Sequence, residues 1–242
     1  MSVLRIVATP IGNLEDVTLR ALRVLKESAF ILCEDTRVSK RLLDRYEVKT
    51  RLISFHQHSG QVKIEKIVSL LKEGNDLALI TDAGTPGISD PGGKLVELVR
   101  EELGNEVLIE SIPGASAITT AISIAGTGFD RFLFLGFLPN RKGRQTKIKE
   151  IFASKYSVVL YESKHRIVKL LEELKAESLS EGQKIKVFIA RELSKLNESF
   201  YTSSIDEILN NFKENPVTLK GEFVVLVRKE TDKNKEEENI ND

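Results

Sequence analysis

The strongest constraint on this chain is a rhythm: short runs of Val, Ile, Leu and Phe recur from end to end, with segments of helical period between many of them. The runs fall at 4–8, 30–33, 77–81, 107–109, 132–135, 158–161, 187–190 and 223–227. Each is too short for a helix and rich in residues that fit a pleated, buried surface, so each reads as a strand. Between them, residues 62–73 put Ile64, Ile67, Val68 and Leu71 on one helical face, and Ile205, Ile208, Leu209 and Phe212 repeat the same i, i+3, i+4, i+7 spacing. Strands alternating with helices specify an α/β fold with largely parallel sheets. No internal repeat is visible. The turn-forming stretch IPGASA at 112–117 divides the alternation, giving an expected first domain over 1–113 and a second over 114–228. Residues 229–242 are almost wholly polar and are expected to form a disordered tail.

Composition narrows the function classes. Apolar residues make up 41% and charged residues 30%, the balance of a soluble globular protein. No stretch of about eighteen apolar residues runs free of charge, so no membrane span is expected. The chain starts on a strand-like run without a basic-then-apolar leader, and its one cysteine, Cys33, allows neither an internal disulfide nor a cysteine-cluster metal site. A cytoplasmic protein is expected. Cys33 itself sits in a buried-looking run and reads as a packed thiol. His56 and His58 flank Gln57 after a short strand, 52–55; with no cysteine cluster and only His165 elsewhere, no metal is expected, and contact with a ligand or a partner domain fits better.

Polar and glycine-rich clusters follow six of the strand runs. They are TPIGN at 9–13, EDTR at 34–37, DAGTPGISDPGG at 82–93, PGAS at 113–116, ESKHR at 162–166 and REL at 191–193. Ligands of open α/β sheets bind beyond the carboxyl ends of strands, so these clusters mark the candidate site. The long glycine-proline loop lacks the lysine of a phosphate loop, because Gly93 stands in its place. The dinucleotide fingerprint G-x-G-x-x-G is also missing after the first strand. A ligand with a nucleoside and an amino acid but no phosphate, S-adenosylmethionine, suits such a loop, with Ile88 and Ala117 placed to pack on adenine. A plain rigid turn is the alternative, glycine supplying positive φ and proline fixing it.

VATPIGN, CEDTR, SFHQHSG, ITDAGTPGISDPG, SIPGASA, FLGFLP, VLYESKHRI, ARELSKLNES and KGEFVVLV occur in one order. Together they resemble the family of ribosomal RNA small subunit methyltransferase I, a branch of the tetrapyrrole methylases, over nearly the whole chain to about Arg228. The resemblance implies a two-domain tetrapyrrole methylase fold, with a parallel Rossmann-like first sheet and a mixed second sheet. It implies S-adenosylmethionine as donor, held between the domains, and a homodimer as the working unit. The implied reaction is 2′-O-methylation of a cytidine in the decoding region of 16S rRNA, with the small ribosomal subunit as partner.

Carried onto this sequence, the family's donor contacts fall at Pro10, at Gly84, Thr85, Ile88 and Ser89, at Ser116 and Ala117, at Tyr161 and Glu162, and at Gly221 and Glu222. Thr85 stands where many tetrapyrrole methylases have Asp. Glu34, Asp35 and Arg37 are the expected catalytic, substrate-side constellation, with Glu192 and Lys164 as further base candidates. The alternative for Asp35 and Arg37 is an ion pair capping a helix that starts near Ser39. Lys40 and Arg41 are expected to bind RNA phosphates, as are Arg141, Lys142 and Arg144 in a five-cation run at 141–149, and Lys164 and Arg166. Two rival readings remain: a methyltransferase of a corrin or porphyrin precursor, and a non-catalytic S-adenosylmethionine sensor.

Overall fold

A computed structural model describes residues 1–56, 59–90 and 92–230. The chain divides into two compact units, Met1–Ala117 and the part from Ile118 onward. Among the described residues no helix is long and apolar enough to cross a membrane.

The first unit runs β1 (Ser2–Val7), α1 (Leu19–Glu27), β2 (Phe30–Cys33), α2 (Thr36–Arg45), β3 (Arg51–Ser54), α3 (Gln61–Lys72), β4 (Leu77–Leu79), α4 (Gly92–Leu103) and β5 (Val107–Ile112). Its five strands are all parallel, in the order β3-β2-β4-β1-β5. The inner strands β2 and β4 are apolar throughout because helices cover both faces. Alternation sends Leu4, Leu32, Leu77 and Leu79 against Ile64, Ile67 and Leu71 of α3 and Leu95 and Val99 of α4. Val7, Ile31, Cys33, Ala78 and Ile80 face the other way, onto Ala21, Val24 and Leu25 of α1 and Leu43 of α2. Cys33 is thus a packed thiol, and burial raises its pKa.

The second unit continues with α5 (Ala117–Ala125, which starts on the last residue of the first), β6 (Phe132–Phe137), α6 (Arg144–Ala153), β7 (Ser157–Ser163), α7 (Ile167–Glu181), β8 (Ile185–Arg191), β9 (Ser199–Tyr201), α8 (Ile205–Glu214) and β10 (Glu222–Lys229). Strand order is β6-β7-β10-β8-β9, with β6 and β7 parallel and the other three pairings antiparallel. The expected pairing of a parallel and a mixed sheet is therefore present. Val158, Leu160, Val187, Ile189, Phe223, Val225 and Val227 pack against the apolar stripes of α6, α7 and α8 in one core. Ser204 opens α8 with a reciprocal capping box to Glu207, which satisfies two helix-end donors.

Several boundaries differ from the sequence expectation, each for a local reason. Helix α2 begins at Thr36 rather than near Ser39, because the Asp35 side chain accepts the Arg37 N–H and caps it there. Strand β7 extends through Glu162 and Ser163, and β8 through Arg191, because ladder partners on β10 continue to those positions. Strand β9 was not expected; three residues amid polar neighbours carry no alternation signal. Strand β10 reaches Lys229, and the N–H of Glu230 donates to the Lys184 carbonyl, so the second unit passes the expected limit at 228. Most of the expected tail, 231–242, lies outside the described residues, as does His58.

Candidate functional site

The strand order of the first unit decides which loops are neighbours. The carboxyl ends of β2, β4, β1 and β5 lie side by side, so the segments that follow them line one edge of the sheet. Backbone hydrogen bonds stitch these segments together. Thr9 and Gly84 exchange N–H···O bonds of 2.9 and 3.1 Å, and the Ala8 N–H donates to Ile112 at 3.1 Å. The Thr9 hydroxyl donates to the Thr81 carbonyl at 3.0 Å, and that of Thr85 to the Ala115 carbonyl at 3.1 Å. Farther along the same loop, Asp90 Oδ1 accepts from the N–H groups of Gly87 (2.7 Å) and Gly92 (2.8 Å).

Glycine is required where these segments cross. A Cβ on Gly92 would stand 2.8 Å from the Gly87 nitrogen, and one on Gly114 would stand 3.0 Å from the Ala8 Cβ. Pro10 is buried, Ser116 and Ala117 are half-buried, and Ile88 stays 42% exposed at the tip of the loop beside exposed Ser89. Pro10, Gly84, Thr85, Ser116 and Ala117 are thus brought together on three tied segments, with Ile88 and Ser89 on the outer part of the middle one.

The acids beyond β2 behave differently from one another. The Asp35 carboxylate takes Arg37 Nη2 at 2.7 Å, Nε at 3.1 Å and the Arg37 N–H at 2.8 Å. The Arg37 side chain and the backbone donor hold it down at about 2, so it is a weak base. The ion pair capping α2 is therefore real. Glu34, by contrast, is raised above its ordinary value, first by partial burial and then by the charges of Asp82 and Asp90, with His56 opposing. Asp82 is also raised, by partial desolvation first and then by the charge of Asp35, although it accepts the Asp35 N–H at 3.1 Å. Sequence reasoning passed over Asp82. Its signal was its position as the first acid after β4, but only the β2–β4 pairing brings it beside Asp35.

In the second unit the antiparallel ladder puts the start of β10 at the same edge as the ends of β7 and β8, with Glu222 opposite Ser163 and Phe223 opposite Arg191. Gly221 has φ +115, and a Cβ there would lie 2.4 Å from Glu192 Cγ. Glu192 accepts from the Glu222 N–H and from Lys195 Nζ, both at 2.9 Å, and Lys195 also reaches Glu222 at 2.8 Å. Burial opposes ionisation of Glu192, but the bonds from Lys195 and Glu222 prevail and hold its pKa below the usual range. Glu192 is therefore a poor base candidate. Arg191 is buried and donates to the carbonyls of Lys220 (2.6 Å), Asn197 (2.8 Å) and Val217 (3.3 Å), tying the loop before β9 to the segment before β10.

Two expected ligand contacts prove to be internal. Glu162 is 1% exposed because β7 carries it inward; its carboxylate lies 2.8 Å from Arg166 Nε and 3.6 Å from Arg144 Nη1. Arg144 is 2% exposed and pairs with Glu173 at 2.7 Å. Both side chains thus belong to a buried ionic network, in which Arg144 Nη2 and Glu162 Oε2 have no hydrogen-bond partner among the described residues. A buried ion must be paired, and this network does that. Tyr161 is half-buried, edge-on to Phe134 at 5.1 Å and tilted to Phe137 at 5.4 Å. Lys40, Arg41, Arg141, Lys142 and Lys164 are exposed, which also leaves Lys164 without the burial a lysine base requires. Arg166 is half-buried and engaged with Glu162, Leu138 and Asn140.

A parallel sheet with stitched loops at its carboxyl edge, followed by a mixed sheet, is the build of the tetrapyrrole methylases. The model of that family, Tetrapyrrole (Corrin/Porphyrin) Methylases, matches residues 3–209. Solved structures with the same fold include the methyltransferase CobJ, at TM-score 0.69 and 18% identity over 95% of both chains. The cobalt precorrin-4 methyltransferase CbiF superposes at TM-score 0.65 and 15% identity, over 93% of this chain and 94% of that one. The sequence is much nearer to another branch. It is 41% identical to the ribosomal RNA small subunit methyltransferase I of Thermotoga maritima, over 94% of this chain and 98% of that protein. The protein of the same name from Escherichia coli O157:H7 is 42% identical, over 93% of this chain and 77% of its own length. The chain belongs to the ribosomal RNA small subunit methyltransferase I family.

Proposed function

We propose that this protein transfers the methyl group of S-adenosylmethionine to the 2′-hydroxyl of a cytidine in the decoding region of 16S rRNA, acting on the small ribosomal subunit. The family membership supports the substrate class, and the same resemblance supports a cytoplasmic homodimer. The observation that carries the chemistry is the contrast between Asp35, held near 2 by Arg37, and its neighbour Glu34, whose pKa is raised.

The residues of the first unit fit the donor. The crossing of the Gly84 and Gly114 segments leaves no room for side chains, offers backbone rather than a phosphate cradle, and keeps Ile88 exposed for an apolar ring. The acids Glu34 and Asp82 stand at the same sheet edge and favour a cationic ligand. Pro10, Gly84, Thr85, Ile88, Ser89, Ser116 and Ala117 are the residues assigned to it; in the second unit Tyr161, Gly221 and Glu222 are the remaining assignments. When bound, S-adenosylmethionine supplies an electrophilic methyl on a positively charged sulfur and leaves as the neutral thioether.

The ribose hydroxyl is a weak acid, so alignment comes first and proton removal second. Glu34 accepts the 2′-hydroxyl proton as the oxygen–methyl bond forms, and releases it to solvent. Its raised pKa makes it a stronger base than an ordinary carboxylate. Arg37, oriented by the Asp35 cap, holds a phosphate flanking the target ribose. Lys40 and Arg41, on the same helix, extend that contact.

Incubation of the purified protein with labelled S-adenosylmethionine and small ribosomal subunits, followed by nuclease mapping, tests this reading. A labelled 2′-O-methylcytidine in the decoding region is the expected product. Donor binding without transfer to RNA would sink it and favour the small-molecule or sensor alternatives.

A further inference from the structure

A second concavity lies wholly within the second unit, beyond the carboxyl ends of β6 and β7, and the methyl-transfer step makes no use of it. It is a shallow cleft, largely open to solvent, of about 610 Å³, with Phe137, Asn140, His165 and Arg166 on its walls. Phe137, the last residue of β6, is 51% exposed, yet its ring is held: Tyr161 lies 5.4 Å away and the Arg166 guanidinium 5.9 Å from the ring centroid. Arg166 is itself fixed by the Leu138 carbonyl at 2.8 Å, Asn140 Oδ1 at 2.5 Å and Glu162 at 2.8 Å. An aromatic face kept rigid and wet beside a planar cation is prepared for a flat ligand. Because Asn140 Oδ1 is engaged by Arg166, its amide N–H groups are what it has left to offer, and these suit the carbonyl or ring-nitrogen acceptors of a base edge. Arg141, Lys142 and Lys164 are exposed on the flanking segments, and none is ion-paired among the described residues.

Stacking planes for bases beside cations for phosphates are how proteins hold unpaired nucleic acid. We infer that this cleft is a nucleotide subsite, which takes one unpaired base of the RNA substrate on Phe137 while the adjoining phosphates lie on Arg141, Lys142 and Lys164. The inference rests on the reading of the chain as an RNA methyltransferase and adds to it a residue that grips an unpaired base of the RNA.

The test uses the full chain and its Phe137→Ala and Phe137→Trp variants. Each is titrated with a single-stranded oligoribonucleotide carrying 2-aminopurine, and KM for small ribosomal subunits and the affinity for S-adenosylmethionine are measured in parallel. Phe137→Ala is expected to weaken oligonucleotide binding and raise KM about ten- to a hundred-fold, the worth of one stacked base, with donor affinity unchanged. Phe137→Trp is expected to keep the fluorescence quenching of a stacked base. Replacing Arg141, Lys142 and Lys164 together by Ala should flatten the slope of log affinity against log salt by about 2. Wild-type binding and KM in Phe137→Ala would overturn the subsite, and so would a parallel loss of donor affinity, which marks a general defect. Wild-type protein that binds the oligonucleotide through Phe137 but methylates no RNA would instead break the functional reading and leave the subsite standing.

Discussion

In the first unit all five strands run parallel under helices on both faces, whereas in the second only β6 and β7 are parallel and the core helices gather on one face. The difference carries through to the carboxyl edges of the two sheets. The parallel edge is built only of segments that leave strands, and neutral backbone bonds and close glycine crossings join them. Its acids Glu34 and Asp82 have no ion pair among the described residues and are raised. The mixed edge combines strand ends with the start of β10, and charged side chains join it: Glu162 to Arg144 and Arg166, and Glu192 to Lys195. Acids without cations are available for proton transfer, and acids with them hold the frame.

The largest effect should come from removing the acid proposed as the base. Glu34→Gln is expected to lower kcat by about 10²–10⁴-fold while donor binding persists. In the wild type kcat should rise with pH as Glu34 loses its proton, with a midpoint above the ordinary glutamate value, because the folded site favours the neutral acid. The variant should lose that limb. A pH profile unchanged by Glu34→Gln would move the base elsewhere, and Asp82→Asn would be the next variant to assay.

On the framing side, Glu162→Gln removes the only nearby charge facing Arg144 from β7 and leaves a guanidinium at 3% side-chain exposure with Glu173 alone. Loss of about 3–5 kcal/mol in denaturant unfolding is expected. A near-neutral result would break the division between reactive and framing acids.

Adjacent glycines sharpen the description of the stitched edge. Gly92→Ala forces a Cβ to 2.8 Å from the Gly87 nitrogen and should cost about 1–3 kcal/mol along with donor affinity. Gly93→Ala meets nothing within 4 Å and lies in the first turn of α4, so it should be neutral or stabilise by up to about 1 kcal/mol. Equal effects in thermal melts and donor titrations would mean that close packing at the crossing is not what shapes the loop. Among the losses the smallest is that of Ser204→Ala, which should cost about 1 kcal/mol through the lost cap of α8, without change in donor affinity.

Much of this was legible in the chain. Apolar runs at 30–33 and 223–227 announce strands that are buried on both sides or form the sheet centre, and the periodic faces of α3 and α8 announce helices, because burial acts on local pattern. The glycine-proline loop at 82–93 was legible through its run of Gly, Pro, Ser and Asp between a strand and a helix. Other features were not. Glu162 and Arg144 look like surface residues, since burying a charge is rare and only a partner distant in sequence makes it tolerable. Asp35 and Glu34 are neighbours of like chemistry, and nothing in their order says which of them Arg37 captures. Phe137 reads as one more strand residue until the end of β6 leaves it half outside.

Sequence alone therefore determined the alternation of elements and the segments that leave the strands, because both follow from periodicity and short-range chemistry, and its ordered motifs carried the resemblance to the family. Tertiary structure decided the rest. The order β3-β2-β4-β1-β5 made four distant segments neighbours, and the reversal of β10 brought Glu222 to the ends of β7 and β8. Those contacts set which acids are paired, which are raised and which side chains face water. Electrostatics and solvation depend on distances between residues far apart in the chain, and only the folded arrangement supplies them.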